Sequence, residues 1–361
     1  MRLGSLHLSV ELALTVLVSA LPVFATPSYT ITDLGVPGQI SAAYDVTSSG
    51  MVVGVNDSKP AFWDASGSLT TLSAGTGTAY GINEAGEVVG AYNPSSRYLG
   101  FYWSTSDPTL RQLIHPHQSS SGWSWAMEIT DSSLIVGAAD MDATYSYQRR
   151  GVIWNGPDDP NPVVLPSLGR DSHAWAANAS GEVVGWSSNV SSQSHGFYWD
   201  GSTMTDLGTL GGSHSWAYDI NDSGTIVGGA YTSSNSEAPV FWTWSGSSWT
   251  ITQIGSASGQ ARSINASGDI VGRIQASAFL WQDGSLYSLN DLIPSGSGWD
   301  LRYAYSILDN GYIVGQGYLG SVNHAFLLTP TPVSAVPAPG ALLLAIAGAV
   351  LASSARLLRR P

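Results

Sequence analysis

Apolar and polar positions along this chain fall into short strand-length runs broken by glycine, and one run recurs seven times. The tripeptide Val/Ile-Val-Gly ends at Gly54, Gly90, Gly137, Gly185, Gly228, Gly272 and Gly315. Counting back from each glycine, the preceding residue is always valine: Val53, Val89, Val136, Val184, Val227, Val271 and Val314. Eleven positions back is always alanine: Ala43, Ala79, Ala126, Ala174, Ala217, Ala261 and Ala304. Eight positions back is apolar, and four back is glycine except at Ser133. Self-similarity at a period of roughly 40 residues points to a repeat architecture.

Each copy predicts four strands. Ala217 to Ile220 reads as strand a, Asn221-Asp222-Ser223-Gly224 as a tight turn, and Thr225 to Gly228 as the start of strand b. Asn and Gly tolerate the backbone that such a turn needs, and consecutive β-branched residues suit a strand buried on both faces. A third strand closes on Trp63, Trp103, Trp154, Trp199, Trp242 or Trp281, with Leu327 in the last copy. A fourth follows a Gly/Ser/Asp turn, as in Met204 to Leu207. Four strands per unit is the pattern of a β-propeller blade. The seventh copy lacks a fourth strand, while one extra strand, Tyr29 to Gly35, precedes the first. The expected fold is therefore all-β: a seven-bladed β-propeller over 28–330, closed by an N-terminal strand completing the last blade, so that open edges are paired.

Composition fits this and excludes other classes. The 361 residues include 41 Gly, 14 Trp and no Cys. That removes disulfide scaffolds, thiolate metal sites and thiol nucleophiles. Net charge is −13, and Lys59 is the lone lysine. The body from 28 to 335 keeps 9 basic and 25 acidic residues, a net of −16. Such a surface repels phosphates, so nucleic acid is not an expected partner.

Both ends read as addresses. Residues 1–25 have the layout of a secretory signal peptide: Arg2, an apolar stretch from Leu12 to Val23, and small residues suiting cleavage after Ala25. A Pro-rich linker spans 331–339, and 340–361 is a short apolar segment with an Arg-rich end. Its apolar run is shorter than a spanning helix wants, and the following Arg356, Arg359 and Arg360 favour a cytoplasmic end. Val336-Pro337-Ala338-Pro339, the apolar segment and the terminal arginines, including Arg359 and Arg360, resemble the PEP-CTERM sorting signal of Gram-negative bacteria. Ala338 stands where that signal normally has Glu. The resemblance implies an exosortase-type processing enzyme as partner and at least transient membrane retention; a plain C-terminal anchor is the alternative. The repeats resemble the HAF family of extracellular bacterial repeats. The matching segments are Asp206-Leu207-Gly208-Thr209-Leu210-Gly211-Gly212, Ile220 to Gly224, Ile226-Val227-Gly228 and His324-Ala325-Phe326. That resemblance implies export to the cell surface, outer envelope or exterior, and names no reaction.

Length variation places a candidate binding face. From alanine to glycine the a–b segment never changes length, whereas the gap from glycine to the third-strand Trp is 9, 13, 17, 14, 14 and 9. Variable loops carry binding more often than the elements they join, so the b–c face is the expected site. Ten residues before each glycine stand Tyr44, Tyr80, Met127, Trp175, Tyr218, Arg262 and Tyr305, with Trp125 and Trp216 just upstream. Of these, Tyr44, Tyr80, Trp125, Trp175, Trp216, Tyr218, Arg262 and Tyr305 are the candidate ligand-binding residues; aromatics with neighbouring polar groups suit sugar or peptide. Packing between blades is the competing explanation.

No catalytic residue, metal site or cofactor is expected. His115 and His117 lack nearby carboxylates, and His173 and His214 are not equivalent positions. Asp140, Asp142, Asp158 and Asp159 lack the spacing of a calcium loop. Asn178 and Asn265 sit in glycosylation-like triplets that are also the a–b turn. Asp45, Glu128 and Asp219 share the position nine before glycine, where carboxylates could face a channel. The leading expectation is an exported, non-catalytic repeat protein acting as a surface or extracellular-matrix binding or structural module for polysaccharide or protein. The alternative is a propeller carbohydrate-active enzyme, a glycoside hydrolase or lyase, which would need paired carboxylates in one pocket.

Overall fold

The computed structural model describes residues 27–116, 122–141 and 148–332. The signal-like segment, most of the Pro-rich linker, the segment 340–361, Pro337, Pro339, Arg359, Arg360, and His117 lie outside the described residues.

Seven four-stranded antiparallel sheets form a β-propeller. The first blade runs Ser41–Val46, Val52–Asn56, Lys59–Trp63 and Leu69–Thr71, strands a to d from the axis outward. The next five repeat this order. The seventh blade takes strands a to c from Trp299–Ile307, Ile313–Leu319 and Val322–Pro330. Its strand d is the N-terminal Tyr29–Asp33, paired antiparallel to strand c with Tyr29 opposite Pro330. The ring thus closes by hydrogen bonds between the two ends of one compact unit, Ser28–Pro332. Leu289–Leu292 is the sole helix among the described residues, a single turn.

The repeated residues pack the blades. Both the valine and alanine rows are fully buried, at 0% exposure in every copy. Burial of one valine stabilises by roughly 1.5–3 kcal/mol, so seven equivalent positions hold much of the core.

The glycine row has a more specific cause. In every blade strand a carries a β-bulge: Ala43 pairs with Gly54, but Asp45, two residues on, pairs with the adjacent Val53. Equivalent shifts follow Ala79, Ala126, Ala174, Ala217, Ala261 and Ala304. The bulge presses strand a's backbone onto the glycine. A Cβ on Gly228 would stand 1.9 Å from the Trp216 carbonyl oxygen, and one on Gly54 2.0 Å from that of Ala42. No larger residue fits without moving the backbone.

Polar side chains join neighbouring blades. Ser41, Ser124, Ser172 and Ser215 accept, through Oγ, the N–H of Ala325, Gly100, Gly151 and Gly196 on the preceding blade's strand c. The strand-c tryptophans Trp63, Trp154 and Trp242 donate from Nε1 to the carbonyls of Leu34, Ile114 and Leu207 at 2.9, 2.7 and 2.9 Å. These bonds satisfy groups that would otherwise be buried unpaired.

Candidate functional site: the central cavity

The bulge also builds the site. It inserts one extra residue on strand a, so the residues ten and nine before the glycine both line the axial channel in every blade but the fourth, where Trp175 lines it and Ala176 does not. The result is a cavity of about 940 Å³ lined by residues from those positions down to the a–b turns. No residue of the b–c or d–a connections lines it. The cavity is therefore on the invariant-length side of the ring, opposite the variable face that loop lengths suggested.

The floor is aromatic. Tyr44, Tyr80, Trp175, Tyr218, Arg262 and Tyr305, with Met127, all line the cavity. Tyr44 lies 5.7 Å from Tyr80 and 4.8 Å from Tyr305, ring centre to ring centre. Trp175 stacks on Tyr218 at 4.8 Å and 15°. The Arg262 guanidinium sits 4.0 Å from the Tyr218 ring centre and donates to Gln260 Oε1 at 2.5 Å. Six of the eight candidate residues thus meet in one layer.

Trp125 and Trp216 do not join them. They occupy a second layer, two residues earlier on strand a, on the b–c side. Trp125 packs under the Arg149 guanidinium at 4.3 Å and beside Tyr98 and Trp123. Trp216 stacks on His214 and meets Tyr231. Neither tryptophan lines the cavity. His173 is in this layer too, stacked on Trp186 at 4.9 Å; burial, then Arg149, pushes its pKa down to about 3.

Above the floor stand three carboxylates, Asp45, Glu128 and Asp219. Asp45 accepts from its neighbour Val46 N–H, from Ile82 N–H of the next blade and from Ser306 Oγ, each at 2.9 Å. Asp219 accepts from Ile220 N–H at 2.7 Å and from Ile264 N–H of the next blade at 2.9 Å. Ser263 uses Oγ likewise toward Ile307 N–H at 3.3 Å. At Asp45, Asp219 and Ser263 the side chain nine before glycine thus reaches the backbone of the next blade. Burial pushes Asp45 up to about 7 and also raises Asp219. Burial, then the charges of Asp219 and Asp45, lifts Glu128 well above the usual carboxylate range.

The mouth is formed by the a–b turns, which are also tied together. Asn83, Asn178, Asn221 and Asn265 donate from Nδ2 to the carbonyls of Thr130, Asn221, Asn265 and Leu308 on the next blade. Their Oδ1 atoms accept the N–H groups of Glu87, Glu182, Thr225 and Asp269 within their own turns. In the opposite direction Glu84, Asp131, Asp222 and Asp309 accept from the backbone of Ser48, Glu84, Ala179 and Ala266 at 2.7 to 2.9 Å. Asn at the first turn position and an acid at the second, each in four of the seven copies, thus form an inter-blade belt, beyond the hairpin chemistry read from sequence. Among the described residues, no group of three or more His, Asp and Glu is arranged to hold a metal ion.

With fold and cavity defined, the protein classes as a seven-bladed β-propeller. No protein-family model matches the chain, and no curated protein matches it significantly. Solved structures do. An oligogalacturonate lyase from Vibrio parahaemolyticus superposes with a TM-score of 0.57 at 11% identity, over 84% of this chain and 94% of that one. YCF48 bound to D1 peptide gives 0.51 at 14% identity, over 88% of this chain and 100% of that one. TolB from Acinetobacter baumannii, at 0.45 and 12% identity, is matched over 81% of this chain and 64% of that one. At these identities the likeness is one of fold.

Proposed function

We propose that this protein is an exported, non-catalytic binding propeller whose central cavity receives the end of an oligosaccharide. The observation that carries the reading is the commitment of the cavity carboxylates. Asp45 and Asp219 each bridge to the next blade's backbone. Carboxylates held as inter-blade acceptors explain their own presence without acid–base work. What remains for a ligand is an aromatic floor with polar walls, in a volume suited to a small oligosaccharide.

Export rests on the signal-like N-terminus, the HAF resemblance and the PEP-CTERM-like C-terminus. An exosortase-type enzyme would process the last, leaving the propeller at the surface or in the matrix.

One observation favours the carbohydrate-active enzyme instead: carboxylates raised by burial in a cavity are a common mark of acid–base sites. Calorimetric titration of the full chain with a panel of neutral, acidic and amino oligosaccharides, with product analysis of each mixture, separates the two. Binding without new reducing ends or unsaturated products supports the binding module. Turnover that Asp219→Asn abolishes while the protein stays folded overturns it in favour of the enzyme. Absence of any binding rejects both.

A further inference from the structure

The charge and ring chemistry of the cavity select among oligosaccharides. Seven carboxylates line it: Asp45, Glu84, Glu128, Asp131, Asp219, Asp222 and Asp309. Arg262 is the one cationic side chain among the lining residues. The acidic residues alone would mark only a polar mouth, but they surround a floor of five aromatic rings. A cation over an aromatic face is drawn to the ring quadrupole, more strongly where water is excluded. The protein already uses this attraction: the Arg262 guanidinium lies 4.0 Å from the Tyr218 ring centre, with its Nε buried and without a hydrogen-bond partner. The rings of Tyr44 and Tyr305, 4.8 Å apart, form another part of the same floor.

We infer that the ligand is an amino sugar chain carrying free ammonium groups, seated on the Tyr/Trp floor with its ammonium among the mouth carboxylates Glu84, Asp131, Asp222 and Asp309. This rests on the binding-module reading and names its ligand class. An aromatic face receives the apolar face of the sugar ring, and the acidic wall receives the ammonium. A uronate chain meets like charge at the mouth. A neutral chain gains the stacking but neither the Coulomb attraction nor the charge-assisted hydrogen bonds at the mouth.

The test compares two probes that differ in charge: oligomers of β-1,4-linked glucosamine and the same oligomers fully N-acetylated. Each is titrated calorimetrically into the full chain at a mildly acidic pH that keeps the sugar amines protonated and the mouth carboxylates ionised. Expected is binding of the glucosamine oligomer at least about tenfold tighter than its acetylated partner, weakening steeply as salt is raised toward about 0.5 M. Trp175→Ala and Asp222→Asn should each weaken it; the asparagine keeps an acceptor for Ala179 N–H, and Asp131→Asn provides a second charge variant at the mouth. Melting curves check that each variant is folded. Equal or tighter binding of the acetylated oligomer overturns the amino sugar inference and leaves the binding module standing. Binding of glucosamine oligomers unchanged in all three variants places them outside the cavity and also overturns it. Failure of both probes and of every other oligosaccharide removes the binding module as well.

Discussion

His324 donates from Nδ1 to Asp33 at 2.9 Å, joining residues 291 positions apart in the chain. The carboxylate also accepts from Gly35 N–H at 2.8 Å, which fixes it against the outer strand. The same pair recurs inside blade four, where His195 donates to Asp206 at 2.8 Å and Asp206 accepts from Gly208 N–H. The His-Ala-Phe and Asp-Leu-Gly elements are therefore two halves of one clamp between strands c and d. Only at Asp33 does the clamp also close the ring. His324→Ala should lower stability by about 0.5–1.5 kcal/mol, the net worth of one hydrogen bond from a buried imidazole to an exposed carboxylate that keeps Gly35 N–H. Denaturant unfolding checks it, with His195→Ala as the comparison within a continuous blade. A change below about 0.5 kcal/mol for His324→Ala would assign closure to the backbone ladder alone.

Gly228→Ala should prevent folding. The added Cβ would lie 1.9 Å from the Trp216 carbonyl oxygen and 2.9 Å from the Trp242 ring. Backbone on one side and a fully buried indole on the other leave no direction for relief. Soluble yield and circular dichroism are the readouts, and a folded variant with an unchanged melting temperature would contradict the bulge geometry.

The bulge was written in the sequence but not read there. Ala43 to Val46 is three steps along strand a, whereas its partners Gly54 to Val52 are two steps along strand b. An odd spacing facing an even one, repeated seven times, requires an extra residue in strand a. Blade number, strand order and ring closure were legible because burial imposes them on the pattern of Val, Ala and Gly. The direction of the cavity was not. Loop length marks where insertions are tolerated, and here the axial side chains are aimed by a bulge inside an invariant segment. The roles of Asn221, Asp222 and Ser215 were hidden too, because each bonds a residue on another blade.

Ser58→Gly should stabilise the protein. Asp57 and Ser58 form the two-residue b–c turn of blade one with φ of 48° and 63°, a conformation that favours glycine. Both are exposed, and Ser58 contributes its backbone carbonyl to Gly77 N–H at 2.8 Å, which glycine retains. A gain of up to about 1 kcal/mol is expected. Thermal melting would read it as a rise of a few degrees; a fall would mean that Ser58 makes a side-chain contact worth more than the relieved strain.

The cavity carboxylates set how stability responds to pH. Asp45 titrates near 7 when folded, against 3.8 as its ordinary value, because burial penalises its charge; Glu128 and Asp219 are displaced in the same direction. A folded state that holds a proton more tightly than the unfolded chain gains stability as pH falls. The gain from Asp45 develops as pH drops through 7 and is complete only below its unfolded value. His173 works oppositely: its folded pKa is pushed down to about 3, so stability is lost as pH falls below about 6.5, where the unfolded imidazole binds a proton. The clean window is therefore pH 8 to about 6.5. There the melting temperature should rise on acidification, with a contribution from Asp45 on the order of 1 kcal/mol. Asp45→Asn preserves an acceptor for Ile82 N–H and removes the charge, so it should raise stability at pH 8 and flatten the slope. Melting curves of both proteins across that window decide it. A wild-type slope of opposite sign, or one that Asp45→Asn leaves unchanged, would mean that Asp45 keeps its charge at neutral pH, stabilised by its three donors against the cost of burial.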